Sequence, residues 1–264
     1  MKKSLLFVIC FMFVAVGSIS AQTQTSPLLE KDKFELGPEI SYITYKEPGL
    51  KTKGFMYGLA GSYTYHNKIM LRVELKGSYG TVDFAGSTLA GTRVSVNNNP
   101  NGTGEIRGLG GYDFPVLRSS VLTPYTGIGV RYLNNDVLPK PYERESYYIY
   151  SPIGIGFITD LGKGWSIGGT GEYDHFWWGY QTSHPIDDLP NLRSDIVSYQ
   201  KNGYGLRGSM TLEKKYRKVI LEGGPFIRYW NIKKLRPEIV PDNVLWQEPG
   251  NHSTEVGVKL AVKF

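Results

Sequence analysis

Aspartate and histidine are the side chains of this chain that could activate water, and they are few. The candidates for acid–base chemistry are Asp83, His184, Asp187 and Asp188. A histidine can accept a proton near neutral pH when a carboxylate orients its ring. His184 precedes the two adjacent aspartates in the order His-x-x-Asp-Asp, whereas Asp83 stands alone. We favour the interpretation in which all four are solvated loop residues and the protein is not an enzyme.

Metal and thiol chemistry are not expected either. The four histidines lie at positions 66, 175, 184 and 252, a spacing that does not suit a multi-histidine metal site. No His-Glu-x-x-His motif occurs in the chain, and the one Gly-x-Ser-x-Gly match, at 164–168, runs into the predicted strand 165–178 and does not read as the strand-to-helix turn of a catalytic serine. The single cysteine, Cys10, lies in an apolar segment near the N-terminus. We therefore expect no cofactor and no bound metal.

Charged residues alternate with aliphatic residues in the segment 69–82. Arg72, Glu74 and Lys76 lie on one side of an extended chain, and Leu71 and Val73 lie on the other. Period-two alternation of this kind forms two faces only in a β-strand. A soluble sheet covers its apolar face with a second layer, whereas a membrane barrel exposes that face to lipid and turns the charges inward. The pattern favours the barrel.

The last twelve residues, 253–264, show the strictest alternation. Val256, Val258 and Leu260 share one face with the final residue, Phe264. We expect outer-membrane lipid, including lipopolysaccharide, to cover this face. The segment resembles the C-terminal strand of bacterial outer-membrane β-barrels, which typically ends in Phe and serves as an assembly signal. The resemblance implies that the barrel-assembly machinery binds the strand that ends at Phe264.

Ten segments in total read as strands. They are 33–45, 53–66, 69–82, 104–114, 121–133, 145–159, 165–178, 203–213, 219–231 and 253–264. We predict an all-β fold, a transmembrane antiparallel up-and-down β-barrel of ten strands. Eight or twelve strands are the alternatives, because residues 92–96 could extend a hairpin above the membrane. In 145–159, Tyr148 and Tyr150 suggest that even-numbered residues form the apolar face, whereas Ile153 and Ile155 suggest the odd-numbered ones. A bulge between them could reconcile the two.

Long and tight connections alternate along the chain, as they do in outer-membrane barrels with long external loops and short periplasmic turns. We therefore expect both termini to lie in the periplasm of a Gram-negative bacterium. Aromatic residues near the strand ends predict two interfacial girdles. They are Phe34, Tyr65, Tyr112, Trp165 and Phe264 on one side and Phe55, Tyr79, Tyr132, Trp177 and Tyr229 on the other.

The N-terminus has the features of a secretory signal. Lys2 and Lys3 precede a short apolar core, and small residues lead to a cleavage position after Ala21. The predicted organisation is a signal peptide (1–21), a polar linker (22–32) and an outer-membrane β-barrel (33–264). The formal charge of the whole chain is only +6 and its basic clusters are sparse, so nucleic acid is not an expected partner.

The predicted inward faces carry charges of both signs. The residues selected as a structural charge network are Glu39, Arg72, Glu74, Glu105, Arg107, Arg131, Glu172, Asp174, Arg207, Glu222, Arg228 and Glu255. A ten-stranded barrel has a narrow interior that side chains can largely fill. We favour lumen charges that satisfy one another through Arg–carboxylate pairs, and we keep a narrow solute or proton path as the alternative.

Ten strands, a charged lumen and long outer loops resemble the omptins, which are outer-membrane proteases and adhesins. Omptins carry an Asp pair two residues apart on one loop and Asp-x-His on the opposite wall. Here Asp83 has no such neighbour, and Asp174 and His175 are adjacent, so their side chains should point to opposite faces of a strand. We therefore expect a non-enzymatic surface barrel whose outer loops bind a partner or support the envelope. An omptin-like protease and a narrow channel are the alternatives.

Overall fold

The computed structural model describes residue 29 and residues 31–87, 93–137, 142–184, 195–240 and 244–264. The predicted signal peptide (1–21), most of the predicted linker (22–32), and the candidates Asp187 and Asp188 lie outside the described residues. Within the described ranges, no helix is long and apolar enough to cross a membrane.

The described residues form fourteen β-strands. They are β1 (Asp32–Glu47), β2 (Leu50–Asn67), β3 (Ile69–Ser87), β4 (Arg93–Tyr112), β5 (Phe114–Leu117), β6 (Ser120–Val137), β7 (Tyr142–Gly162), β8 (Trp165–His184), β9 (Ile196–Gln200), β10 (Gly203–Tyr216), β11 (Val219–Ile232), β12 (Glu238–Val240), β13 (Val244–Trp246) and β14 (Asn251–Lys263). Their pairings are antiparallel throughout.

The strands close into an antiparallel barrel of ten strands, which confirms the predicted fold class. Neighbours around the barrel are β1, β2, β3, β4, β6, β7, β8, β10, β11 and β14, and β14 pairs with β1 to complete the ring. The short β5 continues the position of β4 beside β6, and β9 continues the position of β10 beside β8. The hairpin of β12 and β13 forms a separate small sheet.

The two ends of the barrel differ. At one end, which we call the terminal end, Phe34 and Phe264 exchange two backbone hydrogen bonds of 2.9 Å. Tight turns at Lys68, Lys163 and Arg217 lie at this end, and each of these residues has a positive φ, between 53° and 63°. The opposite end carries the tight β1–β2 turn at Gly49 and the connections β3–β4, β6–β7, β8–β9 and β11–β14, and we call it the loop end.

The outward face is apolar over the middle of the barrel. Leu75 is 58% exposed beside its cross-strand partner Ile106 on β4, and Leu260 is 64% exposed between Val258 and Val262 along β14. Aromatic rings border this belt: Phe34 lies 6.2 Å from Phe264 at the terminal end, between ring centroids. An apolar surface of this extent is unfavourable in water, whereas lipid covers it without cost. The exterior is therefore that of a transmembrane barrel.

The prediction was wrong about where several strands end. The alternation predicts a long loop at 83–103, but β3 continues to Ser87 and pairs with β4 from Arg93 onwards. It also predicts a loop at 179–202, but β8 continues to His184 and pairs with β9. These extensions lie beyond the apolar belt, where backbone hydrogen bonds hold the strands together and no apolar stripe is needed. Hydrophobic periodicity cannot reveal such strands.

The segment 145–159 has one phase and not two. Tyr148, Tyr150 and Pro152 all face inward, and Ile153 and Ile155 face outward, so the alternation along β7 is unbroken. The two sets looked like competing phases because aromatic residues occupy the lumen face in one half and aliphatic residues occupy the lipid face in the other. The bulge lies on the neighbouring strand β8.

Leu75→Arg tests the lipid-facing belt. We expect the substitution to lower the free energy of unfolding in phospholipid vesicles by about 2–4 kcal/mol, because the charge enters the hydrocarbon region. Urea titration of the vesicle-inserted barrel, followed by tryptophan fluorescence, measures the change. Leu245→Arg is the matched control, since Leu245 is 71% exposed on the β12–β13 hairpin. Equal effects of the two substitutions would show that Leu75 does not face lipid.

Candidate functional site

The lumen is filled by charged side chains. Of the twelve residues selected from the sequence, eleven take part in ion pairs inside the barrel. The twelfth, Arg131, is buried and lies 5.2 Å from the ring centroid of Trp230. The pairs join strands that are far apart in sequence, and they are described below from the middle of the barrel outwards.

Arg207 is the centre of the network. Its two terminal nitrogens donate to the two oxygens of Glu105 at 2.6 and 2.8 Å, and its Nε donates to Asp174 at 2.6 Å. Glu172 lies 3.2 Å from the same Nε. Three carboxylates around one guanidinium satisfy its planar set of donors, and Tyr150 accepts a further bond at 2.9 Å.

Two other arginines extend the network across the bore. Arg107 contacts Glu74 and Glu172, each at 2.5 Å. Arg228 donates to both oxygens of Glu39, at 2.8 and 3.0 Å. Bidentate pairs of this kind fix both distance and orientation.

Glu255 and Lys76 connect these groups. Glu255 accepts from Arg228 at 3.1 Å, and Lys76 lies 3.8 Å from Glu255 and 3.9 Å from Glu105. We call the connected set the ionic layer. It consists of Glu39, Glu74, Lys76, Glu105, Arg107, Glu172, Asp174, Arg207, Arg228 and Glu255.

A cluster of aromatic rings lies on the loop-end side of the ionic layer. Tyr150 and Trp230 are 0% and 2% exposed, and their ring centroids are 5.0 Å apart in an edge-to-face arrangement. Tyr148 packs against Phe176 at 5.4 Å and against Trp230 at 6.1 Å. We call these four residues the aromatic plug. The plug is not among the predicted features, although four aromatic residues on the lumen faces of predicted strands were the available signal.

A cavity of about 280 Å³ lies between the ionic layer and the terminal end. Arg72 and Glu222, both from the selected network, line it. Glu222 contacts Lys263, whose ammonium also lies 2.6 Å from Glu213. Arg72 keeps 31% of its side chain exposed, so this part of the lumen admits solvent.

The two described candidates for acid–base chemistry, Asp83 and His184, do not meet in the lumen. Asp83 is exposed on the outer face of β3, where its carboxylate accepts the backbone N–H of Asn98 at 3.3 Å. His184 contacts Asp195 at 3.0 Å and lies on the face of β8 opposite to the buried Ser183. Asp187 and Asp188 lie outside the described residues. Asp83 therefore belongs to a strand and not to the predicted loop.

Asp174 and His175 point to opposite faces of β8. Asp174 is fully buried in the ionic layer, whereas the His175 ring lies 4.5 Å from Trp177 on the outer surface. In the ranges that the structure covers, no group of three or more His, Cys, Asp or Glu side chains is arranged to hold a metal ion. In the ionic layer, the carboxylate of Asp174 compensates the charge of Arg207.

Comparison with solved structures supports the fold. The outer-membrane protease OmpT from Escherichia coli superimposes with a TM-score of 0.64 at 8% sequence identity, over 94% of this chain and 99% of that chain. The Pseudomonas putida toluene transporter TodX (TM-score 0.38, 10% identity, 89% of both chains) and Neisserial surface protein A (TM-score 0.32, 15% identity, 88% of this chain and 97% of that chain) are more distant. No protein-family model and no curated protein sequence matches the chain.

The chain is thus an outer-membrane β-barrel with a ten-stranded, omptin-like architecture. The likeness to OmpT concerns the fold alone, because the sequences are almost unrelated. Function has to be argued from the lumen and the surfaces of this chain.

Arg207→Met tests the ionic layer. The substitution leaves Glu105 and Asp174 without their main partner, so we expect the free energy of unfolding to fall by about 3–5 kcal/mol. Chemical unfolding in vesicles measures the change. Arg118→Met at the exposed turn after β5 is the control and should change the stability by less than about 0.5 kcal/mol. A loss as small as that of the control would mean that the lumen charges are not coupled.

The loop end contains one histidine with a perturbed titration. Partial burial lowers the pKa of His184, but the hydrogen bond to Asp195 and the charges of Asp195, Glu143 and Glu145 outweigh it, so the pKa is raised. The contact therefore contributes stability below the unfolded-state pKa of about 6.5 and loses it as pH rises through the higher folded-state pKa.

We expect Asp195→Asn to shift the titration of His184 to lower pH, because the substitution removes the nearest negative charge. The histidine Cε1 proton resonance, followed by NMR between pH 5 and 9, measures the shift. Asp160→Asn at the terminal end is the control and should leave the curve in place. An unchanged His184 curve in Asp195→Asn would contradict the assigned contact.

Proposed function

We propose that this chain is a non-enzymatic integral protein of a Gram-negative outer membrane, closed to solute flow, which binds a partner or supports the envelope through its loop end. The observation that carries the proposal is that two consecutive layers block the bore. The ionic layer crosses it in the middle, and the aromatic plug follows immediately on the loop-end side.

Each layer is a barrier of a different kind. Moving a solute through the ionic layer requires separating Arg207 from Glu105 and Arg228 from Glu39, which leaves charges without partners in a poorly hydrated space. Passing the aromatic plug requires displacing rings such as Tyr150 and Trp230 from contacts with buried neighbours. The two together support a closed barrel, and they leave the surfaces of the barrel as the places where partners bind.

The orientation that we propose places the terminal end in the periplasm and the loop end outside. The short turns at Lys68, Lys163 and Arg217 support it, because outer-membrane barrels keep short turns on the periplasmic side. On the loop-end side, Lys51 and Lys53 project outward beyond Phe55, where phosphate groups of lipopolysaccharide would meet them. Phe264, the last residue of the chain, lies at the terminal end. In the proposed orientation it faces the periplasm, where the barrel-assembly machinery would bind it.

A narrow channel is the second candidate, because a cavity of about 280 Å³ lies in the bore between the ionic layer and the terminal end. Planar-bilayer recording decides between the two. We expect no conductance steps from the wild-type barrel and small steps from the double variant Tyr150→Ala, Trp230→Ala, since it removes the aromatic plug. Trp165→Ala, which removes a lipid-facing ring, should stay closed.

Folding of each variant is checked by the heat-dependent shift of the barrel on a denaturing gel. If the double variant does not fold, Trp230→Leu replaces it. Conductance steps from the wild-type barrel would overturn the closed-barrel proposal and favour the channel.

An omptin-like protease is the remaining alternative. Refolded wild-type barrel, supplemented with lipopolysaccharide, should cleave no member of a peptide library, because Asp83 and His184 lie on outward faces of β3 and β8. Mass spectrometry of the products measures cleavage. Cleavage that disappears in His184→Gln or Asp83→Asn, with the barrel still folded, would overturn the non-enzymatic assignment.

A further inference from the structure

A histidine–aspartate pair lies at the terminal end of the lumen, apart from the ionic layer. Nδ1 of His66 lies 2.8 Å from Oδ2 of Asp113, and both side chains are about nine-tenths buried. The Thr123 hydroxyl donates to the other oxygen of Asp113 at 2.7 Å. We assign the shared proton to Nδ1 of His66, which then donates to the carboxylate of Asp113, since an ionised carboxylate only accepts hydrogen bonds. The lone pair of a neutral His66 is then on Nε2.

The ring of His66 lines the cavity of about 280 Å³ at the terminal end. The register of the strands places three further polar residues beside it. Lys33 on β1 is paired with Thr64 on β2, and Thr64 is paired with Arg72 on β3. His66 is the next lumen-facing residue after Thr64 along β2, roughly 7 Å closer to the mouth of the cavity.

Arg72 directs part of its guanidinium into this cavity. Its Nε donates to the Thr64 hydroxyl at 2.8 Å, which fixes the orientation of the group. Within the described residues its one ion pair is a long contact of 3.4 Å to Glu74, whose other oxygen is bound by Arg107 at 2.5 Å. The outer edge of Arg72 therefore remains available to a ligand in the cavity, as its 31% exposure indicates.

Arg72 is the part of the cavity lining that favours an anion, because its guanidinium is partly exposed and has only one long ion pair among the described residues. A guanidinium edge is suited to a carboxylate or phosphate group, because two parallel N–H donors match two oxygens. In the assigned tautomer of a neutral His66, in contrast, Nε2 accepts a hydrogen bond, and it suits a ligand that also carries a hydroxyl group.

We propose that this end of the lumen binds small oxyanions that also bear a hydroxyl group, such as hydrogen phosphate or a hydroxycarboxylate. Arg72 binds the oxyanion, and Nε2 of His66 accepts the hydroxyl proton. Asp113 holds the His66 ring in the required tautomer, and Thr64 positions Arg72. The ligand enters from the terminal end, so the site does not depend on passage through the ionic layer or the aromatic plug.

Two matched pairs of probes test the proposal and separate its two ligand classes. Inorganic phosphate at pH 8 carries a hydroxyl group and sulfate does not, and lactate carries one that acetate lacks. Each probe is titrated by calorimetry into the mature chain refolded in neutral detergent, in chloride buffer. We expect saturable binding of phosphate or lactate that is about tenfold tighter than binding of its partner probe.

The variants locate the site. Arg72→Gln should weaken binding at least about tenfold, and Arg72→Lys should restore part of the loss because it keeps the charge. His66→Leu should abolish the difference between phosphate and sulfate, or between lactate and acetate, while weaker oxyanion binding persists. Arg118→Gln at the exposed turn of the same end is the control and should bind like the wild type.

The gel shift on heating confirms that each variant is folded. Absence of saturable binding of all four probes to the folded wild-type barrel would overturn the proposal. Equal weakening by Arg72→Gln and Arg118→Gln, or a probe difference that survives in His66→Leu, would overturn it as well.

Discussion

The pairing of β14 with β1 is the constraint on which the rest of the structure depends. It closes ten strands into a ring, and closure fixes the width of the bore. A bore of this width is too narrow for each charged side chain to keep its own shell of water. Charges such as Arg207 and Glu105, which alternation forces inward, must therefore satisfy one another.

Because side chains alternate between lipid and lumen, apolar residues form the outer surface of the barrel and charged residues form its interior. The side chains that would form the core of a soluble protein, such as Leu75 and Leu260, face lipid, and the interior is built from ion pairs. Such an interior contributes less net stability than a packed apolar one, because desolvation of the charges offsets much of their attraction. It does impose a single arrangement, since a displaced partner leaves a charge unpaired. The aromatic plug around Trp230 and a smaller cluster of Ile43, Met56 and Val82 are packed like an ordinary core.

The sequence predicts those parts of the fold that depend on period-two alternation within the apolar belt. Residues 69–82 and 253–264 show which face meets lipid, and the inward position of Arg72 or Glu255 follows directly. The extensions of β3, β4 and β8 beyond the belt have no such pattern, because both of their faces are polar or exposed. Likewise, the contact between His66 and Asp113 depends on the register of three strands, which alternation does not determine.

The positions of the acid–base candidates follow from local strand geometry. Along β8, Glu172 and Asp174 face the lumen, and unbroken alternation would turn His184 inward with them. An extra residue at Trp177 interrupts the register, because Tyr150 pairs with Phe176 while Ile149 pairs with Trp178. The bulge reverses the alternation, so that odd-numbered residues of β8 face the lumen after Trp177.

Beyond Trp177, Gln181 and Ser183 fill the lumen instead, and His184 turns away to meet Asp195. On β3 the carboxylate of Asp83 is committed to another irregularity, the left-handed Asn98 of β4, whose φ is 60°. The bulge on β8 therefore turns His184 away from the lumen. The irregularity at Asn98 of β4 binds the carboxylate of Asp83 on the outer face of the barrel. A fold shared with a protease thus leaves these two residues without a common site, which is why shared architecture carries so little information about activity here.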